Sequence, residues 1–149
     1  GYSALGVTLF SEKIIFPIDK KDAPILYGCT QDGAPVSCAA ALEVISQTES
    51  LDLCSYAKSM GARITNRLDK LGKSQIIAVR GRGMMIGIDL LTRDGRQFEK
   101  FNAESLKNEL RDKGLLVFSQ PRGLSLFPSM MMTDQECDLM LTILSNVLE

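Results

Sequence analysis

Apolar residues recur along the chain with two different periods, and the changes of period mark out its elements. Small and apolar residues alternate over 4–10, the pattern of a short strand buried in a sheet. Ser11 is placed to cap a brief helical turn over 12–15. From 16 to 33 the pattern dissolves among Pro17, Asp19, Asp22, Pro24, Gly28, Asp32 and Gly33. This predicts an irregular connection, and long connections inside compact domains usually have a use. Pro35 suits the first turn of a helix over 36–47. The side chains of Ser37, Cys38, Ala39, Ala40 and Ala41 are small enough to let other backbone approach that helix closely.

The strongest helical signal lies over 51–71, where Leu53, Ala57, Met60, Ile64, Leu68 and Leu71 fall at steps of three or four and form one stripe. Gly72 follows as a C-terminal cap. Strands are expected over 76–80 and 84–91, joined through Gly81-Arg82-Gly83, with a turn at Thr92-Arg93-Asp94-Gly95. A helix over 102–113 ends at Gly114. Strands over 115–118 and 124–127 flank Pro121-Arg122-Gly123, and Thr133 and Glu136 form a capping box that opens a last helix through 148. The second half therefore reads strand, strand, helix, strand, strand, helix: an α+β unit with a mostly antiparallel sheet. The first fifty residues hold one strand and too little else to close a core.

With 149 residues, the chain has room for one ordinary domain or a piece of something larger. At 45% apolar and 23% charged it is built to bury a core. Seventeen basic against eighteen acidic residues give a net charge of −1, which points to no polyanionic partner. There is no histidine, so neither a histidine-dependent nucleophile nor a histidine zinc site can be assembled from this chain. Cys29, Cys38, Cys54 and Cys137 contain no CxxC pair, and no metal site is expected. No apolar run is long enough to span a bilayer, and the first residues do not read as a signal peptide. The expected setting is the reducing cytoplasm.

Three segments invite chemistry. Arg80-Gly81-Arg82-Gly83-Met84-Met85-Ile86-Gly87 is glycine-rich, but the third glycine comes one residue late for a dinucleotide fingerprint and a strand follows rather than a helix. A tight strand-to-strand connection is the better reading. Lys58, Arg63, Arg67, Lys70, Lys73, Arg80 and Arg82 form a basic span with Asp69 as its only acid, yet no aromatic residue lies between Tyr56 and Phe98 to stack on bases. A solvated helix flank accounts for it better than RNA does. Met130-Met131-Met132 reads as core filler. The loop Tyr27-Gly28-Cys29-Thr30-Gln31-Asp32-Gly33-Ala34-Pro35 brings a hydroxyl, backbone amides and a helix start together, the parts of an anion cradle or of an Asx-type turn.

In order, these segments resemble the class III (fold type I) pyridoxal-phosphate aminotransferases. Gly1-Tyr2-Ser3-Ala4-Leu5-Gly6 with Ser11-Glu12-Lys13-Ile14 is similar to their G-Y-x-P-L-G…S-x-x-I stretch. Residues 27–42 resemble H-G-x-T-x-x-G-x-P-x-x-C-A-A-A-L, and 79–90 resemble V-R-G-x-G-L-M-x-G-I-E-L. Gly114-Leu115-Leu116-Val117 and Thr133-Asp134-Gln135-Glu136 are similar to the closing G-L-L-V and T-x-x-E elements.

The resemblance implies a C-terminal small domain plus a remnant of the large cofactor-binding α/β domain. It divides the chain into the tail of the large domain (1–50), a connecting helix (51–72) and the small domain (73–149). It implies that the parent enzyme exchanges an amino group between an amine or amino acid and a keto acid or aldehyde, and works as a homodimer with pyridoxal 5'-phosphate. The Schiff-base lysine would precede the first motif, so no catalytic residue is assigned within the chain. The piece alone is expected to be inactive and without cofactor. Thr30 matches the threonine whose hydroxyl reaches the cofactor phosphate of the neighbouring subunit, with Cys29 beside it offering a backbone amide. Tyr27, Gln31, Phe118 and Ser125 depart from the family pattern. Ser125 stands where many members carry the arginine for the substrate carboxylate, which leaves Arg122 as the guanidinium for substrate. The alternative is a non-catalytic binding or interaction module derived from the same fold.

Overall fold

The computed structural model describes residues 2–14, 28–71, 75–92 and 94–148. The chain divides into two compact units, Gly1–Leu51 and Asp52–Glu149. In the first, 12–14 form a helical turn in which the Ile14 N–H donates to the Ser11 carbonyl at 2.9 Å. Helix α1 spans Pro35–Ser50, with proline in the first turn as expected and no side-chain cap from Ala34. It runs past 47 because Gln47 donates to Glu43 at 2.7 Å and the Thr48 hydroxyl donates to the Val44 carbonyl at 2.7 Å.

The strand expected over 4–10 does not form. These residues carry no regular structure, and Val7 and Leu9 are 72% and 90% exposed. A strand satisfies its backbone groups through a neighbour, and among the described residues none pairs with this segment. No residue of α1 is buried. Among the described residues of the first unit none is buried, and several apolar side chains are exposed.

Leu51 closes α1, and Asp52 takes a left-handed conformation at φ 45°, ψ 45°. Aspartate tolerates that region better than most residues. The expected helix over 51–71 is accordingly shorter: α2 spans Leu53–Leu68. Its stripe is buried at Ala57, Met60, Ile64 and Leu68, so this helix belongs to the core of the second unit. Gly72, expected to cap it, lies outside the described residues.

Among its described residues the second unit has four strands, β1 (Ile76–Arg82), β2 (Met85–Leu90), β3 (Phe118–Gln120) and β4 (Gly123–Leu126). Helices α3 (Lys100–Asp112) and α4 (Asp134–Leu148) complete it. The sheet is antiparallel throughout in the order β1-β2-β4-β3, so the expected α+β class with an antiparallel sheet is what the protein has.

Alternation fixes which face is buried. Ile86, Ile88 and Leu90 on β2 and Leu124 and Leu126 on β4 turn inward and pack with Ile64, Leu68, Leu110, Leu141 and Leu144 from the three helices. The register pairs Ile86 with Leu126 and Ile88 with Leu124, matching apolar to apolar across the ladder.

The glycine-rich stretch is the β1–β2 hairpin. Arg82 pairs with Met85, and Gly83 sits first in the two-residue turn at φ 55°, a conformation glycine adopts without penalty. The strand expected at 115–118 forms instead over Phe118–Gln120, because pairing propagates backward from the tight Pro121-Arg122 turn. Leu115 and Val117 still pack against the core, from irregular chain.

Caps agree with expectation in the second unit. After α3, the Gly114 N–H donates to the Arg111 carbonyl and the Leu115 N–H to the Leu110 carbonyl, both at 2.9 Å, with Gly114 at φ 88°. That is a Schellman motif. Before α4, the Thr133 N–H donates to the Glu136 carboxylate at 2.7 Å and the Glu136 N–H donates to the Thr133 hydroxyl at 3.2 Å. These bonds hold the Glu136 carboxyl below its ordinary pKa, the Thr133 backbone N–H first.

A glutamate lowered in this way stabilises the folded state above the unfolded pKa and loses that contribution as pH falls through the folded one. The melting temperature should therefore decline on acidification from about pH 5 downward. Glu136→Gln should flatten part of that decline. Thermal melts of both proteins between pH 7 and pH 3 check this, and identical pH profiles would contradict it.

Candidate functional site

The first candidate is the loop before α1. Residues 30–33 form a turn in which the Asp32 N–H donates to the Cys29 carbonyl at 3.0 Å and the Ala34 N–H to the Gln31 carbonyl at 3.2 Å. The Asp32 carboxylate folds back and accepts the Cys29 backbone N–H at 2.8 Å and the Cys29 thiol at 3.1 Å. Those two bonds, the thiol first, hold the Asp32 carboxyl below its ordinary pKa.

Thr30 is exposed in this turn, close in sequence to the uncapped start of α1. A hydroxyl and a helix N-terminus suit a phosphate. The Cys29 amide, by contrast, already serves the Asp32 carboxylate, so an anion would take it only by displacing Asp32. Tyr27 lies outside the described residues.

The second candidate is the face of the sheet turned away from the helices. Arg80 and Arg82 on β1, Met85, Gly87 and Asp89 on β2, and Ser125 on β4 occupy it, because their inward neighbours fill the core. A depression of about 670 Å³ lies there, its rim completed by Gln120, Pro121, Arg122 and Phe127.

Its floor is low because Gly87 has no side chain and Ser125 has a small one. Arg80 pairs with Gly87 across the ladder, lies over it, and reaches Asp89 in an ion pair. Hydrogen bonding to Asp89, then its charge, raises the Arg80 pKa. Among the described residues neither Arg82 nor Arg122 has an acidic partner within ion-pair distance.

Of the residues singled out from sequence, Thr30 and Cys29 belong to the first unit and Arg122 to the second. Arg122 lines the depression, and Ser125 forms part of its floor. The sequence reading assigns no site role to Gly87 or Asp89, although both lie in the 79–90 motif. Counting outward from the two-residue turn at Gly83-Met84 would have set 82 against 85 and 80 against 87, but only once the turn length was known.

The basic span does not act as one patch. Arg63 is paired with both Asp134 and Asp138, and Arg80 with Asp89. Of the four thiols, Cys137 is buried, and burial pushes its pKa up. No group of acidic and thiol ligands among the described residues could hold a metal ion. Nor is any helix among them long and apolar enough to cross a membrane.

A family profile described as Aminotransferase class-III matches residues 5–148. The chain belongs to the class-III aminotransferase family. The family uses pyridoxal phosphate.

Among curated relatives, the acetylornithine aminotransferase of Methanosarcina mazei is 29% identical over 121 residues, covering 80% of this chain and 28% of that protein. Among solved structures, an (S)-enantioselective omega-transaminase from Thermomicrobium roseum superposes with a TM-score of 0.78 at 25% identity, over 93% of this chain and 33% of that one. A PLP-bound amine transaminase from an uncultivated Pseudomonas species gives 0.72 at 28% identity, over 83% and 29%. The chain therefore spans about a third of the length of the class-III aminotransferases it matches.

Proposed function

We propose that this chain is the C-terminal part of a pyridoxal-phosphate-dependent aminotransferase that moves an amino group from an amine or amino acid to a keto acid or aldehyde. The unbroken family match from 5 to 148 carries the reading. In it, residues 1–50 are the tail of the large cofactor-binding domain, 51–72 the connecting helix and 73–149 the small domain. The parent enzyme is a cytoplasmic homodimer. The exposed apolar side chains of the first unit, Val7, Leu9, Val36 and Leu42 among them, support association, since that unit buries none of α1.

The cofactor, when bound, supplies the electron sink. The chain's own residues bind and enclose. Thr30 would hold the phosphate of the neighbouring subunit's cofactor through its hydroxyl, beside the start of α1, which has no side-chain cap. Cys29 contributes its amide once Asp32 swings aside. Arg122 faces the substrate from the rim of the sheet. No lysine of this chain is assigned to bond the cofactor, so the chain by itself turns over no amine.

Purified chain mixed with pyridoxal phosphate, an amine donor and a keto acid should show no transamination; turnover would reject the assignment. In the assembled enzyme, Thr30→Ala should weaken cofactor retention by about tenfold or more, since a hydrogen bond to a charged group contributes about 1.5–3 kcal/mol. Thr30→Ser should retain it.

The Asp32 carboxylate on the Cys29 amide favours a second reading, a non-catalytic module whose loop is closed by its own side chain. Asp32→Asn separates the two. Removing that negative charge should raise phosphate or cofactor affinity in a working cradle and leave it unchanged in a closed one. Titration of the assembled protein with pyridoxal phosphate reads the difference.

A further inference from the structure

We propose that the cleft between α3 and the chain entering β1 is a binding site for a neutral, amino-substituted heterocycle of the adenine type, read by the side-chain amide of Gln75. The site goes beyond the transaminase reading and does not depend on it. Its lining shares no residue with the depression over Gly87 and Ser125.

Among the described residues Gln75 is the one buried polar side chain, at 8% exposure. Its backbone is held in place, because its carbonyl accepts the Leu91 N–H at 2.7 Å. Its side-chain amide bonds to no described residue, yet neither amide atom is sealed in the interior. The amide therefore opens onto the cavity of about 260 Å³ that Gln75 lines. Keeping a polar group from bulk water without a partner is costly, and native proteins leave few such groups. A glutamine amide presents an acceptor oxygen and a donor nitrogen side by side. Its complement is a ring nitrogen next to an exocyclic amino group, the pattern by which glutamine pairs with adenine.

The walls suit a flat ring. Phe98 is buried and Phe101 is 82% exposed, so one aromatic lies deep in the cavity and the other at its mouth. Aromatic side chains receive heterocycles by stacking. Asn102 is fixed by the capping box of α3, where its Oδ1 accepts the Glu99 N–H at 3.1 Å, and its amide nitrogen is left to donate. Ser105 and Glu109 follow along the helix and add a hydroxyl and a carboxylate. No lysine or arginine lines the cavity among the described residues. A bound phosphate or carboxylate would meet the negative charge of Glu109 and no cation. A simple ammonium ion would satisfy the exposed Glu109, which water already solvates, and leave the Gln75 amide half used. The uncharged heterocycle is the class that answers the group lacking a partner. The volume takes the ring and leaves an attached sugar in solvent.

The test uses the whole chain without cofactor. The probes are adenosine, purine riboside (which lacks the amino group), AMP and butylammonium, at matched ionic strength. Binding is read from the backbone amide resonances of Gln75, Phe101 and Ser105. Adenosine should give saturable shifts at all three, and purine riboside should bind at least about tenfold more weakly, since a site built to bond an amino group rejects the analogue without it. AMP should bind no more tightly than adenosine, and butylammonium should move none of the three.

Gln75→Met keeps the side-chain length but removes the amide, and should weaken adenosine binding at least about tenfold. Phe101→Ala, at an exposed position that carries little of the core, should weaken it at least about fivefold through lost stacking. Leu139→Ala, on the exposed side of α4, should leave it unchanged. Melting curves identify any variant that fails to fold, and Phe101→Ala keeps the test decisive should Gln75→Met be that one. Absence of adenosine shifts, equal affinity for purine riboside, tighter binding of AMP, an equal response to butylammonium, or undiminished binding in either folded variant would each overturn the proposal. Since no turnover is measured, its failure leaves the transaminase reading standing, and failure of that reading leaves an observed adenosine site standing.

Discussion

Gly61→Ala is expected to destabilise the second unit by about 3 kcal/mol, toward the upper end of what overpacking costs. Gly61 is buried on the face of α2 that meets the β1–β2 hairpin. A Cβ there would fall 2.0 Å from the Gly83 carbonyl oxygen, 2.5 Å from its carbon and 2.9 Å from its Cα. All three are backbone, so no side-chain rotation relieves the clash. The helix has to move off the sheet, loosening Ala57, Met60 and Ile64 with it. Alanine returns about 1 kcal/mol through its better helix propensity, which is too little to compensate.

For a unit of about a hundred residues, each kcal/mol shifts the melting temperature by about 4–8 °C, so a drop of about 12–24 °C is expected. Gly87→Ala is the control. The nearest atoms to the same added methyl group would be those of the Arg80 side chain, at 3.6 Å or more, and the change should cost less than about 1 kcal/mol. Equal melting temperatures for wild type and Gly61→Ala would refute the close approach of helix and hairpin.

Leu144→Ala should cost about 3 kcal/mol by a different route. Leu144 is fully buried on α4, in the cluster where that helix, α2, α3 and the inner face of the sheet meet. Truncation removes the transfer free energy of the lost atoms and leaves a cavity that elements on several sides keep from collapsing. Leu139, on the same helix and 61% exposed, offers the comparison: Leu139→Ala should change stability by less than about 0.5 kcal/mol. Urea unfolding with an unchanged m-value would place both effects in the folded state. A Leu144→Ala protein as stable as Leu139→Ala would mean that the helices and sheet do not share one core.

Both predictions concern the part of the chain whose sequence was most informative. The stripe at Ala57, Met60, Ile64 and Leu68 is legible because a helix buried on one side repeats its demand every three or four residues. The alternation at Ile86, Ile88 and Leu90 is legible for the corresponding reason in a strand. The capping box at Thr133 and Glu136 names its own partner three residues away.

The failures share a cause of their own. Alternation over 4–10 states which side chains suit burial and says nothing of what is there to bury them, so Val7 and Leu9 stand exposed. The apolar run at 115–118 suggests a strand, but pairing is set by the turn at Pro121-Arg122 and reaches back only to Phe118. Between Ser50 and Leu53 no glycine or proline announces a break, and the left-handed Asp52 that makes it is an ordinary residue in an uncommon conformation.

The candidate site divides in the same way. Thr30 and Arg122 could be nominated from motif position alone. That Arg80 lies across Gly87 to Asp89 depends on register, a long-range property that one sequence does not display. The Asp32 bond to the Cys29 amide was likewise invisible, although both residues were within the loop already chosen.

Because the three helices all cover the same side of the sheet, folding and chemistry draw on alternate residues of the same strands. Ile86, Ile88, Leu124 and Leu126 are committed to the interior, while Met85, Gly87, Asp89 and Ser125 between them carry little of its packing. Selection can rewrite the second set position by position without eroding the first. A scaffold arranged in this way can diversify what it recognises while its thermodynamic foundation is inherited intact.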